Sequence, residues 1–339
     1  MAVTIKDVAK LADVSTATVS RVINSDPRIS AATRDRVLGV IEKLNYKVNS
    51  IARSLKSNRT CTVGFLTPEI ANEFFMTVAQ GVENSLRERG YNLIICNSNE
   101  SPDEEVERLE LLIEKCVDGV IIAPSTGSGE HLRFLEQVGL PTVLVDRLAD
   151  GFTSDAVLVD NATGTYKAIH HLLKRGHTNF GFIGGDVSLT PFRERYEGFL
   201  RALSEFGIHP DEAHVKFGNY HVDSGYAMMK ELAELTPPPA SVFISNYFMH
   251  IGATQYLVEN RARLPRTIFV ASFDDMALSA VAGVPSLTIA QPVLQIGRRA
   301  AEMLLERIDS RASGTAPPPR IERLPTRLVF HDRNSKAQP

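Results

Sequence analysis

The sequence predicts a small all-α headpiece joined to a large α/β body made of two doubly wound lobes. Three observations predict it. The first sixty residues hold 11 Lys+Arg against 5 Asp+Glu, a charge of +6, whereas the remainder holds 26 against 35, a charge of −9. Three short helix-period patterns fill the basic segment. From Thr62 onward, apolar strand-like runs alternate with amphipathic stretches, the signature of a βαβ series. At 339 residues the chain has room for two or three domains. A body of roughly 270 residues is large for one sheet, so two lobes are expected.

The headpiece elements follow in order. Thr4 opens a capping box with Asp7, and Ile5, Val8, Ala9 and Ala12 keep helical spacing. Asp13-Val14 is the break. Ser15 can cap a second helix, VSTATVSRVIN, with Val14 and Val19 as a hydrophobic staple. Ser30 caps a third, which lines up Val37, Val40, Ile41 and Leu44. Three short helices with a tight break between the first two fit a helix-turn-helix. The exposed face of the second helix is then Thr16, Ala17, Ser20, Arg21 and Asn24, without an acidic residue. Small residues let a helix approach base edges, and Arg21 can donate two hydrogen bonds to guanine. The plain alternative is a structural bundle with a polar surface; length, charge and spacing together weigh against it.

Residues 49–60 read NSIARSLKSNRT. Asn49 can cap a short helix, Ile51, Ala52 and Leu55 lie near one side, and Arg53, Lys56 and Arg59 add charge. So short a helix barely offsets its nucleation cost. The segment is either a plain linker or a helix that forms only on DNA, with Leu55 as a wedge in the minor groove.

In the body, TVGFLTP, YNLIICNS, DGVIIAP and PTVLVD read as strands buried on both faces, and NFGFIGG, SVFISN and TIFVASFDD continue the series. Helical patterns at 73–89 and 103–116 separate the first of them. A Pro-rich loop and one final strand within IERLPTRLVF close the body. Ligands of such sheets bind at the C-terminal ends of strands. Phe74, Asp146, Arg147, Arg195, Asn246 and Asp274 fall near such ends, and Tyr220 lies in a polar loop before a helix. Aromatic rings among carboxylates, amides and guanidinium groups suit a polyhydroxylated ligand. Any one of these residues could be a cap or a surface ion pair. Arg147 could pair with Asp150, and Phe75 and Asp275 are the weakest candidates.

TIKDVAKLADVSTATVSRVIN, the Thr33-Arg34 helix and NSIARSL together closely resemble the headpiece and hinge of the lactose-repressor (LacI/GalR) family, almost without gaps over sixty residues. Where the family usually has Pro before the hinge Asn, this chain has Val48, which leaves the approach to the hinge less rigid. Residues 62–330 resemble the periplasmic-binding-protein-like sensor fold of the same family. The resemblance implies a helix-turn-helix domain at 1–48, a hinge at 49–60, a two-lobed effector and dimerisation domain at 61–330 and a tail at 331–339. It implies DNA contacts from Thr16, Ala17, Ser20, Arg21, Asn24, Asn49, Arg53, Leu55 and Lys56. It places Phe74, Asp146, Arg195, Tyr220, Asn246 and Asp274 at the effector, with Gln291 and Val293 as weaker matches at a lobe crossover; Arg147 joins them by its strand-end position.

No phosphate loop, zinc-protease or nucleophile-elbow motif is present, and GFIGGD lacks dinucleotide spacing. His170 and His171 adjoin on a helical stretch and cannot face one metal together. Cys61, Cys96 and Cys116 are an odd count without CxxC spacing, as expected of reduced, mostly buried cytosolic thiols. No leader-like start and no apolar run of spanning length occurs. The expectation is a cytoplasmic transcriptional regulator, a homodimer on a near-palindromic double-stranded operator. It needs no catalytic residue, metal or cofactor, and a carbohydrate-like effector controls it. The alternative is a sugar-modifying enzyme with an appended DNA-binding domain; a transport binding protein is opposed by the basic headpiece.

Overall fold

The computed structural model describes residues 3–23, 26–46, 59–275, 284, 286–314 and 317–331. The chain divides into two compact units, Met1–Thr60 and Cys61–Pro339. In the first, helices α1 (Ile5–Leu11), α2 (Thr16–Ile23) and α3 (Ala31–Lys43) enclose a core of Val8, Ala9, Ala12, Val19, Val22 and Val37. The caps are those the sequence indicates. Thr4 and Asp7 form the capping box of α1, the Ser15 hydroxyl accepts from Thr18 N at 3.1 Å, and Ser30 accepts from Thr33 N. Asp13, with φ 51°, turns the chain between α1 and α2.

The second unit holds two six-stranded sheets. In the first lobe β1 (Thr62–Thr67), β2 (Asn92–Asn97), β3 (Gly119–Ile122), β4 (Thr142–Val145) and β5 (Asp155–Val159) are joined by β11 (Ile321–Leu324), in the order β11-β5-β4-β3-β1-β2. In the second, β6 (Phe180–Gly184), β7 (Val215–Phe217), β8 (Ser241–Ile244), β9 (Phe269–Phe273) and β10 (Ser286–Ala290) are joined by β12 (Arg327–His331), in the order β12-β10-β9-β8-β6-β7. All pairings are parallel except β10 with β12. The helices are α4 (Glu73–Glu88), α5 (Pro102–Glu114), α6 (Arg133–Gln137), α7 (Asn161–Lys174), α8 (Thr190–Ser204), α9 (Val222–Ala233), α10 (Tyr247–Glu259) and α11 (Val293–Ser313).

The chain passes between lobes three times: from β5 into α7, from β10 into α11, and from β11 into β12. IERLPTRLVF is therefore two strands in two sheets. Pro325, which has no N–H for a ladder, lies between them. YNLIICNS also departs from expectation: β2 is an edge strand with Ile95 40% exposed, so it is not buried on both faces. Nor are the thiols mostly buried, since Cys116 is exposed and Cys61 and Cys96 are half-buried.

Three helix pairs meet backbone to backbone. A Cβ on Gly252 of α10 would lie 1.8 Å from the Val222 carbonyl oxygen, and one on Gly225 of α9 2.2 Å from that of Met249. Gly297 against Val78 and Gly198 against Ala162 repeat the contact between α4 and α11 and between α7 and α8, at 2.0 and 2.3 Å.

Candidate functional site

Two places gather the candidate functional residues. The first is α2. Val19 and Val22 are buried, while Thr16, Ala17 and Arg21 are exposed and Ser20 is half-buried. No acidic residue lies in the first turn. The nearby carboxylate of Asp26 is occupied: Arg28 binds it through Nε and Nη2 at 3.0 and 2.8 Å, which lowers its pKa to about 2. Among the described residues no ion pair engages Arg21. Asn24, Asn49, Arg53, Leu55 and Lys56, with Val48, lie outside the described residues.

The second is a cleft between the body's lobes, with about 450 Å³ of atom-free space, mouth included. Seven of the nine residues so placed by sequence line it: Phe74, Asp146, Arg147, Arg195, Asn246, Asp274 and Gln291. Tyr220 and Val293 do not. The Tyr220 ring stacks on Phe192 at 6.0 Å, and its carbonyl accepts the Asn246 amide at 2.9 Å, so it supports the wall from behind.

Each wall residue is placed by an element end. The Asn72 side chain caps α4, accepting from Phe74 N at 3.0 Å, and so delivers Phe74 and Phe75 edge to face with centroids 5.1 Å apart. Phe75, a weak candidate by sequence, lines the cleft; Asp275 instead accepts from Thr288 Oγ1 and pairs with His331. Asn246 caps α10 through Met249 N. Asp146 and Asp274 end β4 and β9 with φ of 65° and 72°, a left-handed turn that Asp tolerates better than most residues. Wider hollows lie on the open faces of the body; one is lined by Glu88, Arg89, Arg298, Glu302 and Glu306, but most of these charges are solvent-exposed, whereas Asp146, Arg147 and Arg195 in the cleft are buried.

The charges are mutually committed. Arg147 is buried and donates to Glu100 through Nη1 and Nη2 at 2.8 and 3.0 Å, and to the Pro124 carbonyl at 3.0 Å. Its partner is Glu100 rather than Asp150. Burial would lower its pKa, but the bonds and charge of Glu100 raise it. Arg195 is 4% exposed; Nε donates to Asn161 Oδ1 at 2.9 Å, Nη1 to the Ser245 carbonyl at 2.6 Å, and the guanidinium carbon lies 3.7 Å from the centroid of the Phe273 ring. Burial lowers its pKa, against the pull of Asp274 and Asp146. Burial also raises that of Asp146, opposed by Arg147 and Arg195. Gln291 donates its amide to Asp274. Among the described residues Gln291 Oε1 is buried with no hydrogen-bond partner, a costly state that a ligand could relieve, while Arg147 Nε lacks a hydrogen bond but lies 3.5 Å from Asp146 Oδ2.

The sequence reading missed Asn72, Phe192, Tyr247 and Phe248 on the wall, and Glu100 behind it. Glu100 follows β2 as Asp146 follows β4, so the strand-end rule that found one could have found the other. Among the described residues no cluster of three His, Cys, Asp or Glu could hold a metal, and no helix is long and apolar enough to cross a membrane. His170 stacks on Tyr166 and His171 packs on Phe330, apart from one another.

Residues 4–49 match the family described as bacterial regulatory proteins, lacI family. Residues 60–326 match that of periplasmic binding proteins and sugar binding domain of LacI family. The HTH-type transcriptional repressor PurR of Aliivibrio salmonicida is 37% identical over 306 residues, 90% of this chain and 92% of that protein. A structure from Burkholderia thailandensis, provisionally described as a ribose operon repressor, has a TM-score of 0.72 at 32% identity and covers 80% of this chain and 100% of its own. The Lac repressor dimer bound to operator and an anti-inducer has a TM-score of 0.84 at 24% identity, a likeness of fold, over 98% of this chain and 99% of that one. The chain belongs to the LacI family: it is a DNA-binding transcriptional regulator, not an enzyme, with a body that binds a small-molecule effector.

Proposed function

We propose that the protein is a cytoplasmic, homodimeric repressor whose grip on a near-palindromic operator is set by a neutral, single-ring sugar in the inter-lobe cleft. One observation carries the choice of ligand. Both cleft guanidinium groups are balanced within the protein, Arg147 by Glu100 and Arg195 by Asp146 and Asp274. An anionic ligand would meet carboxylates without an uncommitted cation. A neutral sugar offers hydroxyl donors to Asp146 and Asp274 and a C–H face to Phe74, Phe75 and Phe192. The ribose operon relative makes D-ribose, a single ring, the first compound to test.

The test is a thermal-shift and calorimetric panel of neutral monosaccharides and sugar acids. A neutral sugar at a hundredfold excess over its Kd is expected to stabilise the native chain by about 2.7 kcal/mol. Sugar acids should do little. A sugar acid that stabilises more strongly than every neutral sugar would overturn the ligand assignment.

On the DNA side, Thr16, Ala17, Ser20 and Arg21 are assigned to the major groove, residues 1–48 to the reading domain and 49–60 to a hinge. The dimeric Lac repressor complex supports two such units on one operator. Arg21→Ala is expected to cost about 1–3 kcal/mol on the cognate site and to relax base preference at one position per half-site. Competition binding against scrambled DNA checks this. An equal loss on both sequences would make Arg21 a phosphate contact only.

A further inference from the structure

The three inter-lobe crossovers converge on one cleft residue, and a side chain outside the cleft ties two of them together. Asn161 opens α7 just after the first crossover and is fully buried. Its Oδ1 accepts from Arg195 Nε at 2.9 Å, and its Nδ2 donates to Glu194 Oε2 at 3.2 Å. Glu194 sits on α8, in the second lobe. It also receives both arms of Arg323, at 2.7 and 2.9 Å. Arg323 belongs to β11, the edge strand of the first lobe, just before the third crossover. The second crossover joins from the other side, since Gln291 precedes α11 and donates to Asp274, whose charge acts on Arg195.

We propose that Glu194 is a positioning residue that couples Arg195 in the cleft to β11 across the lobe boundary, through Asn161 on one side and Arg323 on the other. The proposal rests on the cleft being the effector site. Glu194 does not line the cleft. Its effect is to fix the Asn161 amide, and through it the guanidinium, in a register set by the position of the opposite lobe. Relative movement of the lobes must then either break the Glu194–Arg323 fork or shift Arg195. A ligand that holds Arg195 correspondingly biases the lobe arrangement, because coupling between sites is reciprocal.

The test uses the full chain, with Glu194→Gln, Arg323→Gln and the double variant. In the ligand-free protein, solvent exchange of the Arg195 Nε–H is read by arginine-selective NMR. Arg323→Gln leaves the cleft wall untouched, yet it is expected to speed that exchange about tenfold, as Glu194→Gln should. In D-ribose titrations each single variant is expected to weaken binding about fivefold, with the double variant no worse than either, since members of one network are not additive. Unchanged Arg195 exchange in the Arg323→Gln variant overturns the relay, as do additive losses. Altered exchange in a chain that binds no sugar of the panel would uphold the relay to Arg195, the failure then being that of the sugar assignment. A purely structural ion pair would lower Tm without moving the Arg195 resonance.

Discussion

Arg195→Ala is expected to abolish the response to effector. The substitution removes the donors that satisfy Asn161 Oδ1 and the Ser245 carbonyl, and takes away the cation that Asp146 and Asp274 share. Removing one partner of a buried charge network typically costs about 3–5 kcal/mol, because the remaining charges stay buried and unpaired. At a binding site, truncating one partner of a buried hydrogen-bonded charge pair typically costs about 2–5 kcal/mol, a loss of roughly thirtyfold or more in affinity. Arg195→Lys keeps the charge but not the planar fork that serves Asn161 and Ser245 together, so an intermediate loss is expected. Calorimetric titration with the strongest sugar of the panel, on variants shown to be folded by circular dichroism, checks both. If Arg195→Ala binds that sugar with the wild-type Kd, the cleft is not the effector site.

The second large effect is on folding. Gly252→Val places a branched side chain where a single Cβ would already be 1.8 Å from the Val222 carbonyl oxygen and 2.7 Å from Tyr226 N. Both are backbone atoms of α9, which cannot rotate away as a side chain can. Separating the helices opens the core that Met228, Met229, Met249 and Leu257 fill between them and the sheet. Overpacking against fixed backbone should cost about 3 kcal/mol or more. Thermal unfolding followed by circular dichroism is expected to show a fall in Tm of roughly 6–12 °C. An unchanged Tm would mean that α9 and α10 are not in backbone contact in solution.

The headpiece was legible in the sequence down to its caps, because capping and helical spacing are local and each names its own residues. Most body strands were legible for the same reason. DAVLV of β5 and SLTIA of β10 were not singled out: each is an apolar run of five residues, which periodicity alone does not distinguish from a buried helical segment. The edge position of β2 is set by which strands find it, and the split of IERLPTRLVF by two sheets competing for its halves. Neither depends on local propensity. In the cleft, the strand-end rule located the wall but not its internal electrostatics. Arg147 has Asp150 three residues away, yet its partner Glu100 lies 47 residues distant, brought there by β2 and β4 belonging to one sheet. That long-range pairing turns the ligand argument toward a neutral sugar.

The backbone at Asp146 and Asp274 also limits how the specificity of this sensor can change. With φ of 65° and 72°, both positions sit where β-branched and bulky side chains are strongly disfavoured and where Asn, Asp and Gly are best tolerated. A lineage exploring new effectors can trade each carboxylate for an amide or for nothing at little conformational cost. It cannot readily install a valine, isoleucine or threonine there. Diversification at these two sites therefore runs along a narrow path: acceptor to mixed donor–acceptor, or acceptor to empty space. Changes of ligand shape must come instead from residues on ordinary helical backbone, such as Phe74, Phe75 and Phe192, where size can vary without penalty to the main chain. The two carboxylates and the aromatic wall thus vary through separate sets of positions and can change almost independently.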